Sequence, residues 1–417
     1  MTIASSSAAS RSCAYGIART ACALATVVFV TACGSDGGSE TSDPSQIKGP
    51  LYLVSTSVLS DDQATSYLTV VNSLAPGPQL GLDDALEFGG GARAFGPPKS
   101  DVVYVTSSDE PTLTEVKVLP NGTLSKGRVV SFANEGLSDT TGANVIHFIS
   151  PTKAYFVSQQ TQEVIVWDPS EMAIIKAVSL DLPLLATSTF LTYYPRPIVV
   201  GDDLVVVTNE SNDDDIYAPP IVSVIDTKKD VVLSSKRDSR CPGIGNSALD
   251  KNGDRYFAQD SYAVSVHFLY PEDAPAPCML RIKAGETSFD PDWSRTLDDE
   301  LGTSIWTGAT PGADGSFYVQ AIPENNPAVQ AAEDAYSVNI AEPWTWYKLT
   351  GGDAKPQALD VDYLTAPPLF PDLEVGNTRY VTVWDQTDTT LVDLTSASTP
   401  QKALGVRGFV YNIVQVR

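Results

Sequence analysis

The chain has 417 residues, of which 51 are acidic and 27 are basic, so its formal net charge at pH 7 is −24. A surface with this excess of carboxylates repels nucleic-acid phosphates and anionic lipids, and we therefore expect no nucleic-acid partner. No apolar stretch after residue 32 is long enough to span a membrane, so the only membrane anchor would be a lipid attached covalently to the chain.

Residues 1–32 predict an export signal. Two arginines precede an apolar run at 21–30, which is too short to span a bilayer as a helix and is typical of a signal peptide. The sequence VTAC at 30–33 resembles the bacterial lipobox, in which small residues precede a cysteine that is lipidated and starts the mature chain. This resemblance implies a lipid anchor on Cys33; an ordinary cleaved secretion signal is the alternative.

Residues 33–49 are rich in glycine, serine and acidic side chains. They include too few apolar side chains to order themselves and therefore predict a flexible tether. Lipidated Cys33 would hold the protein in the bilayer of the cell envelope, on the extracytoplasmic side. In lipoproteins that this sequence resembles, Gly34 after the cysteine favours the outer membrane if the cell is Gram-negative. We expect residues 50–417 to form one monomeric folded domain.

A short pattern recurs seven times within this domain. Each copy alternates apolar with polar or small residues and is bounded by turn-forming Gly, Pro, Asn or Asp. The copies are LYLVSTS (51–57), VVYVTSS (102–108), AYFVSQQ (154–160), LVVVTNE (204–210), RYFAQDS (255–261), SFYVQAI (316–322) and RYVTVWD (379–385). Segments between the copies can supply further strands, which gives about four strands per repeat and little helical pattern.

Repeats of this kind predict an all-β fold, a seven-bladed β-propeller of four-stranded antiparallel blades. A single blade cannot bury both of its faces, whereas blades packed face to face around an axis can. The segment GFVYNIVQV at 408–416 is a spare strand. We expect it to complete the blade that begins at Leu51, so that N- and C-terminal strands close the ring and cover two open edges.

The clearest copy reads VVTN at 206–209 and continues as VSVIDTKKDVVLSS at 222–235. This copy resembles the repeat of bacterial surface propellers named for a Tyr-Val-Thr-Asn tetrapeptide, the YVTN repeat. The segment at 155–180 is similar, and the other five copies are degenerate. The resemblance implies a repeat-built extracytoplasmic propeller from a family of diverse roles, and it assigns no catalytic residue.

Two cysteines, Cys241 and Cys278, remain after the predicted signal and lipidation site. In an oxidising exported compartment we expect them to form one disulfide bond, with two buried free thiols as the alternative. The chain has only 2 histidines and no zinc-spaced cysteines, so we expect no metal site and no cofactor. Asp250–Asp254 has oxygens at alternate positions, as a calcium loop does, but its Asn-Gly pair favours a hairpin turn.

Three arginines indicate a candidate ligand site, because a cluster of positive charge would be unusual in a chain with so few basic residues. Arg93, Arg196 and Arg407 lie just before or within predicted innermost strands, near a mouth of the central channel. Planar guanidinium groups suit carboxylate or phosphate, and Trp306 lies in a corresponding region where it could stack on a flat ligand. His147 alternates with apolar neighbours in another innermost strand. The alternative for the arginines is pairing with acidic side chains between blades. The alternative for His147 is a buried, hydrogen-bonded imidazole.

These features favour a binding or scaffold module that is anchored in the envelope. Its partner would be an envelope protein or a small anionic ligand, and an accessory role in uptake is one version of this function. The alternative is an enzyme, either a lactonase-like hydrolase or a lyase, that uses carboxylate and arginine chemistry at the channel mouth. The sequence alone supports no choice of catalytic residue.

Overall fold

The computed structural model describes residues 47–60, 63–142, 144–188, 190–193, 195–361, 364–365, 373–375, 378–395 and 400–417. The predicted signal, the predicted lipidation site Cys33 and most of the predicted tether lie outside these residues. None of the helices in the described ranges is long and apolar enough to cross a membrane.

Seven antiparallel sheets form the blades of a β-propeller, so the predicted fold is confirmed. Blade 1 contains β1 (Tyr52–Ser60), β2 (Gln63–Val71), β3 (Leu86–Gly89) and the C-terminal β29 (Phe409–Gln415). Blade 2 contains β4 (Ala94–Phe95), β5 (Val102–Val105), β6 (Thr112–Val118) and β7 (Leu124–Ser131). Blade 3 contains β8 (Ile146–Ser150), β9 (Lys153–Val157), β10 (Glu163–Asp168) and β11 (Ala173–Ser179).

Blade 4 has five strands because its innermost strand is interrupted. These are β12 (Phe190–Thr192), β13 (Ile198–Val200), β14 (Asp203–Ser211), β15 (Ile221–Asp226) and β16 (Val231–Arg237). Blade 5 contains β17 (Ile244–Leu249), β18 (Arg255–Gln259), β19 (Met279–Ile282) and β20 (Ser294–Arg295).

The last two blades again have four strands each. Blade 6 contains β21 (Ser304–Pro311), β22 (Phe317–Pro323), β23 (Thr345–Leu349) and β24 (Gln357–Ala358). Blade 7 contains β25 (Leu373–Val375), β26 (Thr378–Trp384), β27 (Asp388–Asp393) and β28 (Gln401–Arg407). The short helices are α1 (Ser261–Leu269), α2 (Asp298–Leu301), α3 (Pro327–Gln330) and α4 (Ala335–Asn339), with 3₁₀ turns at Ala133–Glu135 and Ala313–Gly315.

The seven sequence repeats all form the second strand of a blade, counted outward from the channel. Such a strand lies between its neighbours and has a blade packed on each side, so both sets of alternating side chains become buried. In β14, eight of the nine residues are buried. This double burial explains why the repeats carry the strongest apolar signal in the sequence.

The ring closes in blade 1, where the C-terminal β29 pairs antiparallel with β1. Leu53 lies opposite Val414, and the amide of Val416 donates to the carbonyl of Leu51 at 2.9 Å. Strand β29 is the innermost strand of this blade. The predicted closure by N- and C-terminal strands is therefore confirmed.

Strand order defines two opposite faces of the ring. The hairpin face carries the turns between the first and second strands of each blade. The helical face carries the connections between second and third strands, which in blades 5 and 6 include α1, α3 and α4.

Cys241 and Cys278 form a disulfide bond, as the sequence predicts. Their Cα atoms are 5.2 Å apart, and the bond joins the residues just before β17 and β19. It therefore ties the start of blade 5 to the end of the insertion that contains α1.

Candidate functional site

The innermost strands of blades 3 to 7 and their adjoining turns line a cavity of about 360 Å³ in the central channel, here termed the channel cavity. Its charged residues are Arg196, Asp250, Lys251, Arg255, Glu374 and Arg379. Four basic and two acidic side chains give this lining a formal charge of +2. The sign is opposite to that of the whole chain, whose net charge is −24.

Glu374 connects two of these arginines. It lies in β25, the innermost strand of blade 7, and pairs with Arg379 at the start of β26 and with Arg196 of blade 4, at 3.4 Å from Nη1 to Oε2. Blades 4 and 7 are three positions apart in a ring of seven, which is the largest separation possible. The Arg196–Glu374 pair therefore crosses the channel axis.

The second carboxylate, that of Asp250, is engaged by its own hairpin. Its Oδ1 accepts hydrogen bonds from the backbone amides of Asn252 at 2.8 Å and Asp254 at 3.0 Å. Such bonds close a tight turn. Asp250–Asp254 accordingly forms the hairpin between β17 and β18.

Lys251 lies in this hairpin, and its backbone is in close contact with Gly315 of the neighbouring blade 6. Gly315 has φ +69°, and a Cβ atom there would lie 2.2 Å from the backbone nitrogen of Lys251, so only glycine allows this approach. Within the ranges that the structure describes, the ammonium group of Lys251 has no ion pair or hydrogen bond. Its charge is therefore available to a ligand.

Arg255 begins β18 and donates from Nη1 to the hydroxyl of Ser247 at 3.2 Å. Ser247 belongs to the innermost strand of the same blade and also lines the cavity. Arg255 and Lys251 together bring two positive charges from blade 5 to the lining of the channel cavity.

The structure does not bring the three sequence-predicted arginines to one site. Arg196 lines the channel cavity, whereas the guanidinium of Arg93 lies 4.6 Å from the centroid of the Tyr411 ring. Arg407 ends the outermost strand of blade 7 and pairs with Asp388 at 3.2 Å. It reaches the helical face because the chain crosses there from blade 7 to blade 1.

Trp306 and His147 lie in innermost strands, as expected, but in different surroundings. Trp306 is 1% exposed, packs between blades 5 and 6, and donates from Nε1 to Asp298 at 2.9 Å. Its indole is part of the core rather than of a cavity wall. His147 lies in β8, and burial lowers its pKa, which favours the neutral imidazole.

Sequence reasoning missed Lys251, Arg255, Glu374 and Arg379. One available signal was that two repeats, at 255–261 and 379–385, begin with the same Arg-Tyr pair. An arginine at this position follows the hairpin turn and can lie near the channel. Glu374 had no such signal, because its pairing with Arg196 depends on the closed ring.

No protein-family model matches the sequence, and no curated protein matches it closely enough to identify a relative. The fold is similar to that of a periplasmic gluconolactonase from Pseudomonas aeruginosa, with 10% identity, a TM-score of 0.53, and coverage of 88% of this chain and 99% of that one. A hypothetical selenium-binding protein from Sulfolobus tokodaii gives 8% identity, a TM-score of 0.50, and coverage of 88% and 93%.

AztD from Citrobacter koseri gives 13% identity, a TM-score of 0.42, and coverage of 88% of this chain and 98% of that one. At these identities the similarities concern the propeller fold.

Proposed function

We propose that this propeller binds a small anionic molecule in the channel cavity. The observation that carries the proposal is the convergence of Arg196, Lys251, Arg255 and Arg379, from three blades, on a cavity whose two carboxylates are already engaged. Guanidinium and ammonium groups recognise carboxylate and phosphate oxygens through charge-assisted hydrogen bonds. A cavity of about 360 Å³ falls within the usual size range of small-molecule sites.

Binding fits the cavity better than hydrolysis does. A general base needs a carboxylate within reach of the substrate's proton, but Asp250 accepts two hairpin amides and Glu374 is paired with two arginines. The lactonase-like alternative is supported by a similarity of fold to a gluconolactonase, which says nothing about the residues of this cavity. We therefore favour a binding protein and no catalysis.

Calorimetric titration with citrate at low salt tests this proposal. We expect saturable binding that weakens when salt is raised from 25 to 250 mM, because screening reduces the attraction between ions. Lys251→Gln should weaken binding about fivefold, and Glu374→Gln should strengthen it about tenfold by freeing two arginines.

Lys228→Gln is the matched control, because Lys228 also lies in a turn but its partner is Asp202 on the surface. Its citrate affinity should equal that of the unmodified protein. No saturable binding of citrate, or equal losses in Lys251→Gln and Lys228→Gln, would show that the channel cavity is not an anion site.

The cellular setting is part of the same proposal. The lipobox-like sequence supports an extracytoplasmic lipoprotein held by Cys33, and the imperfect Tyr-Val-Thr-Asn repeats support descent from surface propellers. Cys33→Ser should move the protein from the membrane fraction to the soluble fraction of cells, as judged by immunoblotting. Retention of Cys33→Ser in the membrane fraction, with normal citrate binding, would reject the anchor and leave the ligand site standing.

A further inference from the structure

A second cavity, of about 370 Å³, lies on the helical face where blade 7 meets blade 1. Trp384 of β26 and Phe409 of β29 make an edge-on contact with ring centroids 5.5 Å apart, and Phe409 makes another with Tyr411 at 5.0 Å. Tyr336 of α4 contributes a fourth ring, which is 60% exposed. We call this site the aromatic cavity.

Polar groups of both hydrogen-bonding types accompany these rings. The lining includes the hydroxyls of Ser57 and Thr387, the amide of Gln386 and the guanidinium of Arg407. Within the described part of the chain, Ser57 Oγ and Trp384 Nε1 are buried and have no hydrogen-bond partner. Buried polar atoms without partners are costly, so a hydrogen bond from a ligand hydroxyl or a water that reached either atom would be favourable.

From this lining we infer that the aromatic cavity binds a pyranose sugar. A pyranose ring has an apolar face of C–H groups, which packs on aromatic rings, and a rim of hydroxyls that both donate and accept hydrogen bonds. A planar anion fits less well, because the charge of Arg407 is already balanced by Asp388 at 3.2 Å. The site is separate from the channel cavity and does not depend on the proposed anion binding.

Saturation-transfer NMR with the methyl glycosides of glucose, galactose, mannose and N-acetylglucosamine tests the inference, with calorimetry for affinities. At least one glycoside should bind saturably, and its ring C–H protons should receive the strongest saturation. Tyr336→Ala should weaken binding about tenfold, and Trp384→Phe, which keeps a ring but removes the N–H group, about fivefold.

Tyr270→Ala is the matched control, since Tyr270 follows α1, is 49% exposed and does not line the cavity. It should bind the sugar as the unmodified protein does. Because Tyr336 is largely exposed, its loss should leave the core intact, and an unchanged melting temperature would verify this. Bound sugar should also persist in 250 mM salt and in saturating citrate, which separates this test from that of the channel cavity.

Failure of all four glycosides to bind would overturn the inference. So would binding of benzoate without binding of any sugar, because that result would indicate a site for aromatic anions. Equal losses in Tyr336→Ala and Tyr270→Ala would show that the sugar contacts another part of the helical face.

Discussion

The channel cavity and the aromatic cavity have nearly the same volume, about 360 and 370 Å³, but they are built from different parts of the blades. The charged side chains of the channel cavity come from innermost strands and the turns or second strands beside them. The aromatic cavity is built where the ring closes and from an insertion of blade 6. The channel cavity thus draws on five blades around the axis, whereas the aromatic cavity depends on ring closure and on one insertion.

The two faces also differ in how they are held together. On the hairpin face, close backbone contacts such as that of Gly315 with Lys251 and ion pairs such as that of Glu374 with Arg379 fix the turns. On the helical face, insertions with little regular strand structure need additional restraints. These include the Cys241–Cys278 disulfide and Asp260, which caps the N-terminus of α1. Changes to these restraints should therefore affect the helical face selectively.

Removing the disulfide should have the largest effect. A bond across a sequence separation of 37 residues restricts the unfolded chain, and its loss should lower the free energy of unfolding by about 4 kcal/mol. Urea denaturation of the Cys241→Ser/Cys278→Ser double variant measures this loss. Citrate affinity below the transition should stay unchanged; a parallel loss of citrate binding would contradict the separation between the two faces.

Asp260 should give a smaller effect that depends on pH. Burial raises the pKa of its carboxyl to about 6, so ionisation of the folded protein is unfavourable and stability falls as pH rises from about 4 to 6. Asp260→Asn removes this penalty but can still accept the hydrogen bond from the amide of Ala263, which measures 2.7 Å. At pH 7.5 the variant should be more stable by about 2 kcal/mol.

Urea denaturation at pH 4.5, 6.0 and 7.5 measures this dependence. The advantage of Asp260→Asn should be smallest at pH 4.5, where the native carboxyl is protonated and carries no charge. An advantage of equal size at all three pH values would mean that the effect comes from packing or capping rather than from ionisation.

The fold was predictable because its information is local and repeated. Each second strand carries a recognisable pattern, and the spare segment at 408–416 pairs where closure of the ring requires it. The Cys241–Cys278 bond was predictable because only two cysteines remain after the predicted signal and lipidation site, and the predicted exported compartment would favour their oxidation. The residues of a ligand site are harder to predict. Whether a residue lines the site depends on the direction in which its side chain points from the strand, and on its partners in distant blades.

Arg196 and Glu374 illustrate this limit, because they are 178 residues apart and meet only across the closed ring. Trp306 illustrates a second limit. Successive side chains of an innermost strand point alternately to the channel and to the packed interface between blades. A shift of one residue decides which side a tryptophan occupies. Arg407 was predicted just before or within an innermost strand, but it is the last residue of β28, the outermost strand of blade 7, and the chain crossing to blade 1 places it on the helical face.

The pairing of β29 with β1 has a consequence for biosynthesis. The strand that becomes the innermost layer of the first blade follows every other described strand along the chain, so the ring cannot close until this strand has been synthesised. Until then, both edges of the unfinished circle remain open to other chains. Deletion of Phe409–Gln415 should therefore yield an aggregation-prone product, even though the strands of the other six blades are all present.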